Sequence, residues 1–173
     1  MDDKRRNDLL IEELRKRKGK ETTVDVEAEQ VKVVIFTLRD SLYAFPGADV
    51  KEILPLMDIT PVPGAPDFIP GLINNRGDIE SVINFNKFLE LPDSSRTAAS
   101  RIIMASKAGL RSGILVDEVL DVVDVPLTSI KPPLSTLDHA IKELVTGEML
   151  YNNRTVVMLD ISRLFEKLVI HDP

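Results

Sequence analysis

The chain has 173 residues, 43% apolar and 29% charged, a composition that excludes collagenous, low-complexity and wholly disordered proteins. It holds no cysteine, which excludes a disulfide framework, a thiolate nucleophile, an iron–sulfur cluster and a Cys-ligated zinc, and leaves any metal to carboxylates and two histidines. The net charge of −6 is uneven: residues 1–20 are basic and the remainder is acidic enough to repel polyphosphate, so nucleic acid is not an expected partner. No stretch approaches the roughly 20 apolar residues of a membrane span, and the N-terminus lacks the apolar core of a secretory leader. The expected location is cytoplasmic.

Residues 1–30 read as a charged N-terminal extension. Leu10, Ile11 and Leu14 fall on one side of a short helix, with Glu12 and Glu13 early, the basic run 15–18 late and Gly19 at the end, as the helix dipole and capping preferences favour. So narrow an apolar stripe needs a surface to lie on. Residues 20–30 read as a linker. From Val31 the pattern changes to short β-branched runs bounded by turn residues. VKVVIFTL (31–38) and LYAF (42–45) form a hairpin about Arg39-Asp40-Ser41, and 48–54 reads as a short helix with Val50, Ile53 and Leu54 on one face. Pro55, Pro61, Pro63, Pro66 and Pro70 then impose an ordered, extended loop. Its apolar members Ile59, Val62 and Phe68 are placed to cap a barrel or to meet a partner. GLINNRGDIESVINF (71–85) is a hairpin about Asn74-Asn75-Arg76-Gly77, since Asn and Gly accept the positive φ of tight hairpin turns. A short helix, NKFLEL, follows.

The second half repeats this order. RIIMAS and RSGILV (101–116) match the opening hairpin about Ala108-Gly109, and DEVLDVV (117–123) matches the segment read as helical, Val119 aligning with Val50. A second Pro loop follows with Pro126, Pro132 and Pro133, then a hairpin about Asn152-Asn153-Arg154 and a closing helix in which Phe165 aligns with Phe88. The second loop carries an insertion of about eight or nine residues, STLDHAIKEL, with a Ser-x-x-Asp capping signal and Leu137, Ile141 and Leu144 at helical spacing. Two copies predict two small barrels, roughly 31–92 and 100–168, within a single domain over 31–168. Each copy is too short for a generous core, so the two should pack on each other with a groove between them.

Catalytic constellations are scarce. G-x-S-x-G, Walker, G-x-G-x-x-G and H-E-x-x-H patterns are absent. His139 and Glu143 lie four apart, but two ligands do not make a metal site, and His171 lies near the C-terminus. Asp117, Glu118, Asp121 and Asp124 suit paired-carboxylate chemistry, an acidic docking face, or the solvated side of a segment whose Val119, Val122 and Val123 face inward. Arg76, at a tight hairpin tip beside Gly77, is either a solvated turn residue like its counterpart Arg154 or a cation presented to a partner carboxylate.

The strings LYAFPGADVKEIL (42–54), TPVPGAPDFIPGLINNRGDIESVINF (60–85), GILVDEVLDVV (113–123) and TVVMLDISRLF (155–165), in this order, resemble the CheW family of chemotaxis adaptors and the related regulatory domain of the histidine kinase CheA. The resemblance implies an all-β fold with short helices: two intertwined five-stranded SH3-like β-barrels packed side by side. It implies no catalytic activity and no cofactor. It also implies two partners, the regulatory domain of CheA and the cytoplasmic tip of methyl-accepting chemotaxis receptors, with recruitment to membrane receptor arrays rather than insertion in the bilayer. Carried over by position, the receptor-binding residues are Val50, Glu52, Gly71 and Arg76; the kinase-binding residues are not assigned. The competing reading is a barrel of the same kind that serves a non-flagellar kinase pathway or binds another peptide or small ligand.

Overall fold

The computed structural model describes residues 11–13, 29–134 and 136–170. In chain order the elements are β1 (Gln30–Leu38), β2 (Ser41–Pro46), a 3-10 turn (Gly47–Asp49), β3 (Val50–Pro55), β4 (Gly71–Asn75), β5 (Asp78–Asn84) and α1 (Phe85–Phe88). The second half adds β6 (Arg101–Lys107), β7 (Leu110–Val116), β8 (Glu118–Pro126), a 3-10 turn (Leu127–Ser129), α2 (His139–Lys142), β9 (Val145–Tyr151), β10 (Arg154–Leu159) and α3 (Ile161–Ile170). Residues 11–13 are helical. The rest of the expected N-terminal helix, the linker up to residue 28 and His171 lie outside the described residues.

The strands form two five-stranded sheets, ordered β8-β1-β2-β10-β9 and β3-β6-β7-β5-β4, as expected for two intertwined SH3-like barrels. Exchanging the two halves of the chain maps one order onto the other. Neither sheet is continuous in sequence, so the division near residues 92–100 separates the repeat copies and not the barrels. β3 leaves its own half to pair antiparallel with β6, Leu54 opposite Ile102, and β8 returns to pair with β1, Val33 opposite Val123. Parallel pairs, β2 with β10 and β5 with β7, complete each sheet.

The reason for the exchange lies in β1, whose apolar run is buried on both faces. Val33 and Ile35 point into the first barrel with Leu42, Met149, Val156 and Met158. Val34, Phe36 and Leu38 point the other way, into a core shared with Phe45, Ile83, Phe85, Ile103 and Ile114. β6 repeats this arrangement: Ile102 and Met104 fill the second barrel, while Ile103 and Ala105 enter the shared core. Phe36 sits at the centre of that core, its ring 4.8 Å from Phe45 and 6.1 Å from Phe85.

Three expectations are corrected. Residues 48–54 are a 3-10 turn followed by strand β3, and their repeat partner is strand β8; neither is helical beyond the turn. Val119 and Val123 face inward on β8, but Val122 is 45% exposed. The helix of the insertion is a single turn, α2, and the Asp138 side chain makes no capping bond to it.

Truncating Phe36 to Ala should cost about 3–5 kcal/mol, because the shared core cannot collapse from either side. Urea unfolding followed by far-ultraviolet circular dichroism and by tyrosine emission should give one coincident transition at a lower midpoint. Two separated transitions would show that the barrels unfold independently.

Candidate docking site

The β4–β5 hairpin turns through two residues of positive φ, Arg76 at 55° and Gly77 at 92°, the geometry that matches the twist of paired strands. Asn74 Oδ1 accepts a hydrogen bond from the Gly77 amide at 2.8 Å and fixes the turn. Holding arginine rather than glycine or asparagine in the left-handed region costs on the order of 1 kcal/mol, a local strain at an exposed tip.

The guanidinium does not stand alone. Arg76 Nη2 lies 3.0 Å from Glu52 Oε1, and Asn75 Nδ2 donates to Glu52 Oε2 at 3.0 Å. Asn75 is buried, while the Arg76 side chain is 83% exposed, so one carboxylate is held from within and presents a cation outside. β3 and β4 are the outer strands of their sheet and share no backbone pairing, so this bridge closes the barrel across an open seam. The other barrel has the same device at the matching positions. Tyr151, at the end of β9, donates its hydroxyl to Asp121 Oδ2 on β8 at 2.6 Å, again joining the two outer strands.

Register explains the side chains' directions. The β3–β6 pairing skips Lys51 and the β8–β1 pairing skips Leu120, a bulge at the same place in each half. The bulge turns Val50 and Val119 toward the shared core while Glu52 and Asp121 reach their seams. Val50 and Glu52, two apart in sequence, therefore face different sides. Gly71 is elsewhere again, at the far end of β4, about 13 Å along the strand from Asn75. There Thr60 and Leu72 exchange backbone hydrogen bonds of 2.8 and 2.9 Å, and a Cβ on Gly71, at φ 150°, would lie 2.0 Å from the Thr60 carbonyl oxygen. Gly71 thus fastens the Pro loop; Gly147 does the same against Lys131 in the second half.

The four residues carried over from the resemblance accordingly resolve into one cluster, Glu52 with Arg76, a core-facing Val50 two residues before it on β3, and a separate backbone site at Gly71. Asn75 completes the cluster. It was not singled out from sequence, although its place immediately before the positive-φ pair is the strand end that faces the seam. The counterpart of Arg76 is Asn152 and not Arg154, which begins β10 and donates to the Asp40 carbonyl at 2.6 Å.

Asp117, Asp124 and Glu143 have structural partners. Asp117 accepts from the Arg39 amide, Asn86 Nδ2 and the Ser94 hydroxyl, tying the β7–β8 corner to the β1–β2 turn and to the linker between repeats. Asp124 pairs with Lys32 at 3.6 Å. Glu143 lies 2.6 Å from Lys167, whose hydrogen bond and charge hold it below the usual carboxylate range. Among the described residues no three His, Asp or Glu side chains cluster as a metal site.

Residues 32–169 match the family model of the CheW-like domain. The chain belongs to the CheW-like family. It is 31% identical over 140 residues to the chemotaxis protein CheW of Bacillus subtilis, covering 79% of this chain and 87% of that protein. To CheW of Treponema pallidum it is 26% identical over 144 residues, covering 81% and 85%. The crystal structure of the scaffolding protein TtCheW from Thermoanaerobacter tengcongensis superposes with a TM-score of 0.68 at 31% identity, covering 76% of this chain and 90% of that one. The CheW-like fold thus spans nearly all of the described body. No described helix is long and apolar enough to cross a membrane.

Two outcomes test this geometry. Gly71→Ala should destabilise by more than about 2 kcal/mol, because backbone occupies the added methyl's place, whereas Gly77→Ala, at a positive φ facing open space, should cost about 1 kcal/mol. Equal urea midpoints for the two variants would contradict it. Donation to Asp121 raises the Tyr151 pKa above 10.0, and burial raises that of Tyr43. The folded state therefore favours the protonated phenol, and the Tyr151 clasp contributes stability below pH 10 that is lost as pH rises through the elevated value. In Asp121→Asn, ultraviolet titration should show one phenolate midpoint falling toward the ordinary value while the other stays.

Proposed function

We propose that this CheW-like protein is a non-catalytic adaptor of a bacterial chemotaxis array. In this reading it joins the cytoplasmic tip of methyl-accepting receptors to the regulatory domain of the histidine kinase CheA, at the cytoplasmic face of the membrane and without a cofactor. The observation that carries the reading is the family match across the whole paired-barrel body, in a chain whose β4–β5 tip presents an exposed and braced arginine.

Physical chemistry supports such a role for the Glu52–Asn75–Arg76 cluster. A guanidinium has five N–H donors, and a single carboxylate oxygen here engages one nitrogen, so most donors remain to meet a carboxylate or the carbonyl end of a partner helix. Because Asn75 fixes the carboxylate and the carboxylate fixes the arginine, little side-chain entropy is left to lose on binding. The kinase domain, sharing the barrel fold, is proposed to pair with barrel edges. Ile79 and Leu150, exposed beside the β4–β5 and β9–β10 turns, supply apolar area there. Pairwise contacts of this kind suffice at micromolar strength when an array multiplies them.

Calorimetry of the full chain against a receptor hairpin-tip fragment and against the CheA regulatory domain tests the reading. Arg76→Ala should weaken the receptor contact about tenfold, near 1.4 kcal/mol, with kinase binding and thermal midpoint nearly unchanged, since an exposed ion pair contributes about 0–1 kcal/mol to folding. Failure of both partners to bind at high micromolar concentration would overturn the adaptor role. Equal loss of both in the variant would remove Arg76 as a receptor contact.

A further inference from the structure

The two halves differ most in the loops that follow β3 and β8. Matching hydrogen bonds bracket them: Thr60 pairs with Leu72 as Lys131 pairs with Glu148, and the Asn84 amide donates to the Phe68 carbonyl as the Asp160 amide donates to that of Leu144. Loop 61–67 therefore corresponds to the longer loop 132–143, a smaller insertion than the eight or nine residues read from sequence. The long loop folds as α2 and sends Leu137 and Ile141 into the shared core beside Tyr43. At the corresponding place in the first half the short loop supplies no helix. An apolar groove of about 770 Å³ is left there, walled by Val62 and Pro66 of the loop, Leu110 of β7, and Phe165, Leu168 and Val169 of α3. A second cavity of about 440 Å³ continues it along α3, sharing Leu110, Phe165 and Val169. None of Val50, Glu52, Gly71 or Arg76 lines either cavity.

We propose that this groove is the docking site of the chain's own N-terminal segment, with Leu10, Ile11 and Leu14 seated between the Pro loop and α3 as Leu137 and Ile141 are seated by α2 in the other half. Three observations select this occupant. Ile11 lies in a helical stretch and is 52% exposed, an apolar helix residue without a seat, as Leu110 and Val169, at 46% and 62%, are groove residues without a cover. The charges are compatible: the cations that line the two cavities, Arg111 and Lys107, are engaged by Glu80 and Asp49, Glu166 on the α3 wall is exposed and takes part in no ion pair among the described residues, and the apolar stripe is followed directly by Arg15, Lys16, Arg17 and Lys18. The tether is long enough, since residues 15–28 span up to about 45 Å extended while a body of this size has a radius of gyration of about 14 Å. Tethering supplies an effective concentration on the order of 1 mM, so even a millimolar contact is about half populated. The seated segment would cover the apolar groove much as α2 covers its counterpart in the other half.

The absence of cysteine permits a clean test in the full chain. A nitroxide on Asn7→Cys, with the protein uniformly labelled with nitrogen-15, should at least halve the amide signals of Val62, Leu110 and Val169 relative to the reduced label. Adding Leu10→Glu and Leu14→Glu, outside the folded body, should restore those signals, and so should Leu110→Glu at Val62 and Val169. Uniform weak broadening, or broadening centred on another face, would overturn the proposal. So would broadening that appears in isotope-labelled, nitroxide-free chains mixed with nitroxide-bearing unlabelled ones, because the occupant would then be a second copy.

Discussion

The burial of β1 and β6 on both faces is the constraint from which the rest of the molecule follows. Alternate residues of a strand point to opposite sides, so Val33 and Ile35 need one apolar partner layer and Val34 and Phe36 need another. One half of the chain, some 65–70 residues, cannot supply both layers. The halves solve this by lending each other an outer strand, β8 to β1 and β3 to β6, and by sharing a single core between the two curled sheets. Neither barrel then exists as an independent unit, and a side chain such as Phe36 bears on both.

That arrangement also produces the candidate docking site. A sheet of five strands curled on itself brings its two outer strands together without backbone pairing, and the gap must be held by side chains. The bulges at Lys51 and Leu120 rotate one carboxylate per barrel toward its seam, where Asn75 in one case and Tyr151 in the other donate to it. The clasp is thus a mechanical necessity of the fold, present twice. What distinguishes the two is the residue that follows: Arg76, which adds a braced and exposed cation, against Asn152, which adds none.

Much of this was legible in the residues because turn chemistry is local. Gly77, Gly109, Asn152 and Asn153 carry the positive φ that their types suggest, Arg76 and Ala108 being drawn into the same region by the turns they open, and the repeat of hairpins and Pro loops placed every strand pair that neighbours in sequence. Residues 48–54 misled for a definite reason. A bulge adds one residue to a period of two, so Val50 and Ile53 come to the same side, which imitates the three-to-four spacing of a helix. The strand exchange was not legible from spacing, since nothing local to β3 records that its partner β6 lies half a chain away. Arg154 resembles Arg76 in type but not in turn position: the positive-φ counterpart of Arg76 is Asn152, and the residues before them, Asn75 and Tyr151, form the two clasps. Gly71, named through resemblance as a contact, owes its identity to the Thr60 carbonyl that occupies the place of its missing side chain.

Duplication with exchange leaves a protein little freedom in its frame, because every core position is answerable to both halves. The freedom lies where the copies do not need to match: at the hairpin tips, in the loops after β3 and β8, and in the helices after β5 and β10. The tip difference yields one braced arginine. The loop difference fills one groove with α2 and leaves the other open, and the helix difference extends α3 along that open groove where α1 ends after a single turn. In a pseudo-symmetric adaptor, recognition must distinguish two nearly equivalent faces, so its determinants are to be sought at these departures from symmetry and not in the residues that the halves share.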